Sequence, residues 1–192
     1  LIDSASEIGG QFNMARQVPG KEEFNETLRY FGKQIELTGV ELRLNHRVAA
    51  AAELQDFDDI LLASGVSPRT PAITGIDHAK VLSYVDVLRG RVPVGERVAI
   101  IGAGGIGFDI AEFLLHGDSD ASLDPKAFMQ EWGIDTSFES AGGVLDFNPT
   151  HAAARQIFLL QRKQTKVGKD LGKSTGWIHR RSMAMRDVEM LG

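Results

Sequence analysis

The stretch Val98-Ala99-Ile100-Ile101-Gly102-Ala103-Gly104-Gly105-Ile106-Gly107 decides the fold prediction for this chain. Its first four residues form an apolar run that is short enough for a buried strand, and the glycines that follow end the run. Beyond Gly107, apolar residues recur at helical spacing as far as Leu114. The segment therefore predicts a strand over Arg97 to Ile101, a tight turn, and a helix over Gly105 to Leu115.

The glycines between strand and helix fit the pattern G-x-G-x-x-G. In this context the pattern is typical of a dinucleotide site, because each glycine has a mechanical role. Gly102 permits the tight turn, Gly104 removes a Cβ where a pyrophosphate approaches the backbone, and Gly107 lets the helix pack close to the strand. The unpaired N–H groups at the start of the helix then face the pyrophosphate at the positive end of the helix dipole. The alternative interpretation is a glycine-rich loop without a ligand.

The type of dinucleotide is predicted from the next strand. Gln156 to Leu160 forms a second buried-strand candidate, and it is followed by Arg162 and Lys163 where an NAD site carries an acidic residue. Two cations at this place attract a 2′-phosphate, which favours NADPH over NADH. Arg162 lies about 35 residues beyond the usual spacing from the glycine turn. We assign the excess to an acidic insertion over residues 117–154, whose carboxylates we expect on the surface.

Further elements follow from local patterns. We predict a helix over Lys21 to Leu37 that ends at Gly39, strands over Val40 to Leu44, Phe57 to Ala63 and Asp187 to Leu191, and a short helix over Ser83 to Arg89. Strands that alternate with helices predict an α/β fold with a parallel, Rossmann-like sheet.

The composition excludes several classes of protein. The 192 residues include 43% hydrophobic and 24% charged side chains, as in ordinary globular proteins. There is no cysteine, and the five histidines show no metal-ligand spacing, so we expect neither disulfides nor a metal site. Residues 1–150 carry a net charge of −11 and residues 151–192 one of +6. The basic segment suits a phosphate; with 7% aromatic residues and no nucleic-acid motif, we expect no nucleic-acid partner.

Several motifs together carry a resemblance to a known family. They are Glu7-Ile8-Gly9-Gly10-Gln11-Phe12-Asn13, Pro19-Gly20-Lys21-Glu22-Glu23-Phe24, Ile60-Leu61-Leu62-Ala63-Ser64-Gly65-Val66-Ser67-Pro68-Arg69-Thr70-Pro71, the turn at Gly102–Gly107, Glu131-Trp132-Gly133-Ile134-Asp135, and Leu171-Gly172-Lys173-Ser174-Thr175-Gly176-Trp177-Ile178-His179-Arg180. The chain resembles the C-terminal FAD- and NADPH-binding region of the bacterial NADPH-dependent 2,4-dienoyl-CoA reductases. These are relatives of trimethylamine dehydrogenase and of the old-yellow-enzyme reductases.

The resemblance implies a fragment of a flavoprotein with two dinucleotide-binding domains. Residues 1–92 would belong to an FAD-binding domain, and residues 93–192 to an NADPH-binding domain that is truncated at its C-terminus. Electrons would pass from NADPH to FAD, then through a 4Fe-4S cluster to FMN and to a dienoyl-CoA in fatty acid β-oxidation. The catalytic barrel and the cluster cysteines would lie outside these residues, so the resemblance implies no catalytic residue here.

The resemblance also implies the cofactor contacts. Asp3 would bind the adenosine ribose of FAD, Gly9, Gly10 and Gln11 would line the FAD, and Gly65 would let backbone approach it. The turn residues Gly102, Gly104, Gly105, Ile106 and Gly107 would hold the NADPH pyrophosphate, and Arg162 and Lys163 its 2′-phosphate. The partners would be these dinucleotides and the remainder of the parent flavoenzyme.

Other interpretations of the same residues stay open. The parent protein could be trimethylamine-dehydrogenase-like or another NADH:flavin oxidoreductase, or the chain could be a non-catalytic nucleotide-binding or assembly module. The chain begins without a methionine and carries neither a signal peptide nor an apolar run of about 20 residues. We therefore expect a cytoplasmic protein without membrane contact whose chain starts inside a longer one.

Overall fold

The computed structural model describes residues 1–117, 121–145 and 153–192. The chain divides into two compact units. Unit 1 comprises Leu1–Arg16 and Glu23–Leu82, and unit 2 comprises Gln17–Glu22 and Ser83–Gly192. The assignment of FAD to the first region of the chain and of NADPH to the second stays a prediction.

Unit 1 is built around one long helix. Helix α1 spans Phe12–Ala15, helix α2 spans Phe24–Thr38, and a short 3-10 helix spans Ala51–Leu54. Helix α2 confirms the predicted helix and ends at Gly39, which adopts the left-handed conformation at φ 69° that favours glycine. Its predicted apolar stripe is only partly covered, because no side chain of α2 is buried.

Two predicted strands of unit 1 are wrong. The segment Val40 to Leu44 forms a single parallel bridge, between Arg43 and Ile2. The run Ile60 to Ala63 has no regular structure, and Leu61 and Leu62 are 94% and 88% exposed. The reason is that a strand needs a neighbour for its N–H and C=O groups, and no strand of the described residues pairs with this run.

Unit 2 contains a parallel sheet. Helix α3 spans Tyr84–Leu88. Ser83 is its N-cap, and the Ser83 hydroxyl accepts hydrogen bonds from N–H groups of the first turn. Strand β1 spans Arg97–Ile101, β2 spans Gln156–Leu160 and β3 spans Glu189–Leu191, in the order β1-β2-β3. All pairings are parallel, which confirms the α/β prediction, although β3 starts two residues later than predicted.

In its described residues, unit 2 has three further α-helices, of which the first packs against β1 and β2 and the last packs against the first. They are α4 (Gly105–His116), α5 (Pro125–Glu131) and α6 (Gly176–Met185), and a short 3-10 helix spans Ala141–Gly143. The core joins Phe108 and Leu115 of α4, Ile157 and Leu159 of β2, and Met183 of α6, which are all fully buried. This packing fixes the start of α4 against the ends of β1 and β2. Within the described parts of the chain, no helix has the length and apolar character that crossing a membrane requires.

Candidate dinucleotide site

The glycine turn forms the strand–turn–helix geometry that its sequence predicts. Gly102 follows β1 with φ 115°, a conformation that L side chains rarely adopt. A Cβ added to Gly107 would overlap the carbonyl oxygen of Gly102 and lie 3.5 Å from Cδ1 of Leu159. The first turn of α4 can therefore approach the sheet this closely only because position 107 has no side chain.

The outer side of the turn is open. A Cβ built on Gly104 or Gly105 meets no atom of the described residues within 4 Å, and none of their side chains caps the start of α4. The first N–H groups of a helix have no partner inside the helix, and their partial positive charge favours an anion. No acidic residue lies in the first turn to compete for them. Gly104, Gly105, Ile106 and Gly107 thus form a cradle that fits a pyrophosphate.

The end of β2 lies beside this cradle. Gly102 donates its N–H to the carbonyl oxygen of Leu160 at 2.8 Å, and Ile101 pairs with Leu160 in the sheet. Because parallel strands end at the same edge, Arg162 and Lys163 follow directly at the carboxyl edge where ligands of such sheets bind. The structure therefore places the glycine turn and this cationic pair at the same edge of unit 2.

The two cations differ in their surroundings. Arg162 is exposed and forms no hydrogen bond or ion pair with any residue the structure describes. Lys163 forms an ion pair with Asp170, with Nζ and Oδ2 2.5 Å apart and both side chains 67% exposed. The ammonium group holds the pKa of Asp170 below its usual value. An exposed pair of this kind contributes only about 0–1 kcal/mol, so Lys163 can turn towards a stronger anion.

The predicted FAD residues lie in unit 1. Gly9, Gly10 and Gln11 form one turn that leads into α1, and a Cβ on Gly9 would overlap Leu28. Next to this turn, the buried Oδ1 of Asn13 has no hydrogen-bond partner among the described residues, which fits a missing donor such as a cofactor group.

The two remaining predicted FAD residues are not joined to this turn. The Oδ1 of Asp3 accepts the N–H of Ala5 at 2.8 Å, so part of the carboxylate holds a local turn. No hydrogen bond among the described residues joins Asp3 to the turn at Gly9–Gln11. Gly65 lies in an exposed segment at φ 72°, with nothing within 4 Å of an added Cβ.

A buried polar cluster in unit 2 escaped the sequence analysis. Ser182 donates its hydroxyl to Glu112 at 3.0 Å, and Arg186 donates to Ser182 at 3.2 Å and to Glu131 at 2.7 Å. His116 lies between them, with Nε2 2.8 Å from Nη2 of Arg186 and Nδ1 2.9 Å from the backbone oxygen of Glu112. The cluster fastens α5, which is part of the insertion, to α4 and α6.

The cluster shifts the acid–base properties of its members. His116 and Arg186 hold the pKa of Glu131 at about 2, although burial acts in the opposite direction. Burial raises the pKa of Glu112, although Ser182, His116 and Arg186 oppose the shift. One signal in the sequence could have indicated the cluster: Glu112 and His116 stand at i, i+4, with His116 directly after the end of the predicted helix. Their partners Ser182 and Arg186 could not be predicted, because no helix was predicted over the residues of α6.

The insertion also contains a carboxylate that is not at the surface as predicted. Asp135 is buried and accepts hydrogen bonds from the N–H groups of Ser137, Glu139 and Ser140 at 2.6 to 2.9 Å and from the hydroxyl of Ser137 at 2.6 Å. The Ser137 and Ser140 bonds hold its pKa well below the usual range. Asp135 therefore closes a loop. Three further acidic residues of the insertion, Asp118, Asp120 and Asp146, lie outside the described residues.

In the part of the chain that the structure describes, no group of three or more His, Asp or Glu side chains is arranged to hold a metal ion. The chain has no cysteine, so its own residues supply no thiolate for an iron–sulfur cluster. The features that remain are an open glycine cradle at the start of a helix and cations at the end of the next strand.

This geometry defines a dinucleotide-binding α/β chain of the Rossmann type. The chain belongs to the pyridine nucleotide-disulphide oxidoreductase family, whose sequence profile matches residues 6–128. It is similar to a metal reductase of Desulforamulus reducens, with 25% identity over 92% of this chain and 26% of that protein. A cinnamate reductase of Clostridium sporogenes shares 39% identity over 64% of this chain and 18% of that protein.

The fold is also similar to that of a solved structure. A 2-naphthoyl-CoA reductase in complex with 2-naphthoyl-CoA superposes with a TM-score of 0.73 at 23% identity, covering 98% of this chain and 23% of that one. At this identity the likeness concerns the fold alone. The chain spans about a quarter or less of the length of these relatives.

Proposed function

We propose that unit 2 binds NADPH, with the pyrophosphate on the cradle of Gly102–Gly107 and the 2′-phosphate on Arg162 and Lys163. The observation that supports this most directly is the hydrogen bond from Gly102 to Leu160, which sets the cradle beside the end of β2. Membership in a pyridine nucleotide oxidoreductase family supports the same proposal. The nicotinamide, once bound, supplies a hydride for a flavin.

In this proposal the residues of the chain bind and orient. The N–H groups at the start of α4 hold the pyrophosphate, because they have no partner in the helix. Arg162 selects the 2′-phosphate through charge-assisted hydrogen bonds, and Lys163 leaves Asp170 to contribute a second charge. In unit 1, Asn13 and the turn at Gly9–Gln11 would hold part of an FAD, for which Asn13 Oδ1 supplies an unpaired acceptor.

The experiment that tests the NADPH site exchanges the sign of one charge. Arg162→Glu should weaken NADPH binding at least about tenfold and change NADH binding little, because only NADPH carries the 2′-phosphate. Lys169→Glu is the matched control, since it changes the same charge at an exposed position of the same loop. An unchanged ratio of NADPH to NADH affinity in Arg162→Glu would contradict the assignment of the 2′-phosphate.

We propose further that the chain forms the electron-entry part of a 2,4-dienoyl-CoA reductase. The resemblance of the motifs supports this, as does a relative whose name is cinnamate reductase. The 4Fe-4S cluster and FMN would be held by residues outside this chain, which has no cysteine. NADPH oxidation by the purified parent flavoenzyme that contains this chain should accelerate with a 2,4-dienoyl-CoA. Faster turnover with cinnamate or a metal ion would replace this substrate assignment and leave the NADPH site intact.

A second candidate is an NADH-dependent oxidoreductase. The observation that favours it is the ion pair between Lys163 and Asp170, which takes up one of the two proposed phosphate ligands. The ratio of NADPH to NADH affinity in wild type separates the candidates, and Asp170→Asn tests whether the ion pair sets this ratio, because it frees Lys163 without moving the glycine cradle. If NADPH is the natural dinucleotide, this variant should bind it more tightly while its NADH affinity stays the same. A gain in NADPH affinity from a wild type that prefers NADH would support the second candidate.

A further inference from the structure

Helix α4 carries a carboxylate close to the proposed pyrophosphate cradle. Asp109 lies four residues after Gly105, which places it about 6 Å further along the helix axis at a rise of about 1.5 Å per residue. This distance is within the screening length of about 8 Å at physiological ionic strength. An unopposed charge on Asp109 would repel the two negative charges of a dinucleotide pyrophosphate and offset the positive end of the helix.

A tight turn from elsewhere in the sequence brings a cation to this carboxylate. The turn is Val18-Pro19-Gly20-Lys21, in which the N–H of Lys21 donates to the carbonyl oxygen of Val18 at 3.0 Å. Pro19 and Gly20, the latter at φ 83°, are the central residues that a type II turn requires. The Nζ of Lys21 lies 2.7 Å from Oδ1 of Asp109, with the two side chains 31% and 23% exposed.

The turn is held on unit 2 by contacts on both sides of Lys21. Val18 is fully buried, and the carboxylate of Glu22 accepts the hydroxyl of Ser122 at 2.5 Å and the N–H of Gly20 at 3.1 Å. The residues before and after this segment belong to unit 1. The segment from Gln17 to Glu22 therefore belongs to unit 2 although its neighbours in sequence belong to unit 1, and its lysine contacts α4.

The other carboxylate of α4 has its own partners. Glu112 is balanced by Arg186, His116 and Ser182 at the opposite end of the helix. Asp109, in contrast, has no hydrogen bond or ion pair with a described residue other than Lys21. Removing Lys21 would therefore leave this charge uncompensated one turn below the cradle.

We propose that Lys21 is a positioning residue for the dinucleotide: it neutralises Asp109 and thereby keeps the start of α4 positive enough to bind the pyrophosphate. This inference rests on the proposed function, because it concerns the same site. Lys21 acts through Asp109 and need not touch the ligand. If Lys21 acts through Asp109, removing the charge of Asp109 should restore the NADPH affinity that is lost when Lys21 is removed. A purely structural contact would not have this consequence.

The test is a double-mutant cycle, with NADPH as the probe and the dissociation constant as the readout. Lys21→Met should weaken binding about fivefold to tenfold in low salt and less in 0.3 M NaCl, because salt screens the exposed repulsion. Asp109→Asn should bind as tightly as wild type or more tightly. The double variant should return to within about twofold of wild type, since both charges are gone. Lys33→Met is the matched control, because it removes a lysine from an ion pair on α2. It should leave the dissociation constant of NADPH unchanged.

Each outcome decides the proposal. If wild type and Lys21→Met bind NADPH equally well, this inference is overturned and the proposed function stays in place. A loss that Asp109→Asn does not repair overturns the charge relation, and absence of binding by wild type overturns both. If Lys21→Met does not fold, Asp109→Asn alone decides, because binding weaker than that of wild type contradicts the repulsion.

Discussion

Two apolar runs of this chain look alike in sequence and end in different structures. Val98-Ala99-Ile100-Ile101 leads into Gly102, and Ile60-Leu61-Leu62-Ala63 leads into Ser64-Gly65. The first run forms most of β1 and pairs with β2, whereas the second has no regular structure and is exposed. Local composition is almost the same, so the difference comes from the surroundings. A buried strand exists only where a neighbouring strand and a covering helix exist as well.

The same contrast extends to the two units. Among the described residues, Met14 is the one apolar side chain of unit 1 that is buried, while unit 2 holds a continuous core of α4, α6 and β2. The glycine cradle adjoins that core, because the first turn of α4 lies close to Leu159. We infer that the order of the proposed NADPH site is set by packing, and that the predicted FAD residues of unit 1 lack an equivalent support within unit 1.

The largest effect that tests this contrast comes from one leucine in each region. Leu159→Ala should lower the free energy of unfolding by about 2–5 kcal/mol, because Leu159 is completely buried and the surroundings cannot close the cavity. Leu61→Ala should change it by less than about 0.5 kcal/mol, since Leu61 is 94% exposed. Urea unfolding of both variants measures the difference. An equal loss in Leu61→Ala would mean that the run Ile60 to Ala63 is covered in solution.

The next effect separates the two tasks of the glycines. Gly107→Ala should destabilise unit 2 by about 1–3 kcal/mol, because its Cβ would overlap the backbone of Gly102, which cannot move aside. Gly105→Ala should keep or raise the stability, since its Cβ meets open space at a helical position. Its NADPH affinity should nevertheless fall, because that space is where we place the pyrophosphate. Thermal unfolding and NADPH titration of both variants are the measurements. Unchanged affinity in Gly105→Ala would move the ligand away from the cradle.

Some of this structure was predictable from the sequence because its determinants are local. Strands β1 and β2 were predicted at their observed bounds, and α2 and α4 within a few residues, since apolar spacing and glycines decide them. These patterns are short-range, so they can be recognised without knowing which distant residues they contact.

The rest depended on contacts between distant residues. Helix α6 has a weakly amphipathic sequence, and its buried Ser182 and Arg186 make sense only opposite Glu112 and Glu131. Asp135 was predicted at the surface, but in the fold its carboxylate accepts four hydrogen bonds from residues 137–140. Sequence reasoning counts a charge as exposed by default. It cannot see the partners that make burial favourable.

The buried cluster of unit 2 predicts a dependence of stability on pH. The pKa of Glu131 is about 2 in the fold against an ordinary 4.5, so its contribution is complete above about pH 4.5 and is lost as the pH falls towards 2. The difference corresponds to an upper bound of about 3–4 kcal/mol. Glu131→Gln should therefore be less stable than wild type at pH 7 and equal to it near pH 2. Urea unfolding across this range tests the prediction, with Glu26→Gln, an exposed acid of α2, as the control. A constant difference between Glu131→Gln and wild type would contradict it.

The smallest effect is expected on α2, where an ion pair of similar length has no covering structure. Lys33 and Glu36 are 2.8 Å apart, but 53% and 69% of their side chains are exposed, against 5% and 12% for Arg186 and Glu131. Water and salt screen the exposed pair, so Lys33→Ala should cost about 0.2–0.5 kcal/mol, and less in 0.5 M NaCl. Arg186→Ala should cost several times more and respond little to salt, because it leaves Glu131 buried without its partner. Urea unfolding at the two salt concentrations measures both. If Lys33→Ala and Arg186→Ala lost equal free energies of unfolding, distance rather than burial would determine the strength of these ion pairs. The difference in burial between the two units would then have no effect on their ion pairs.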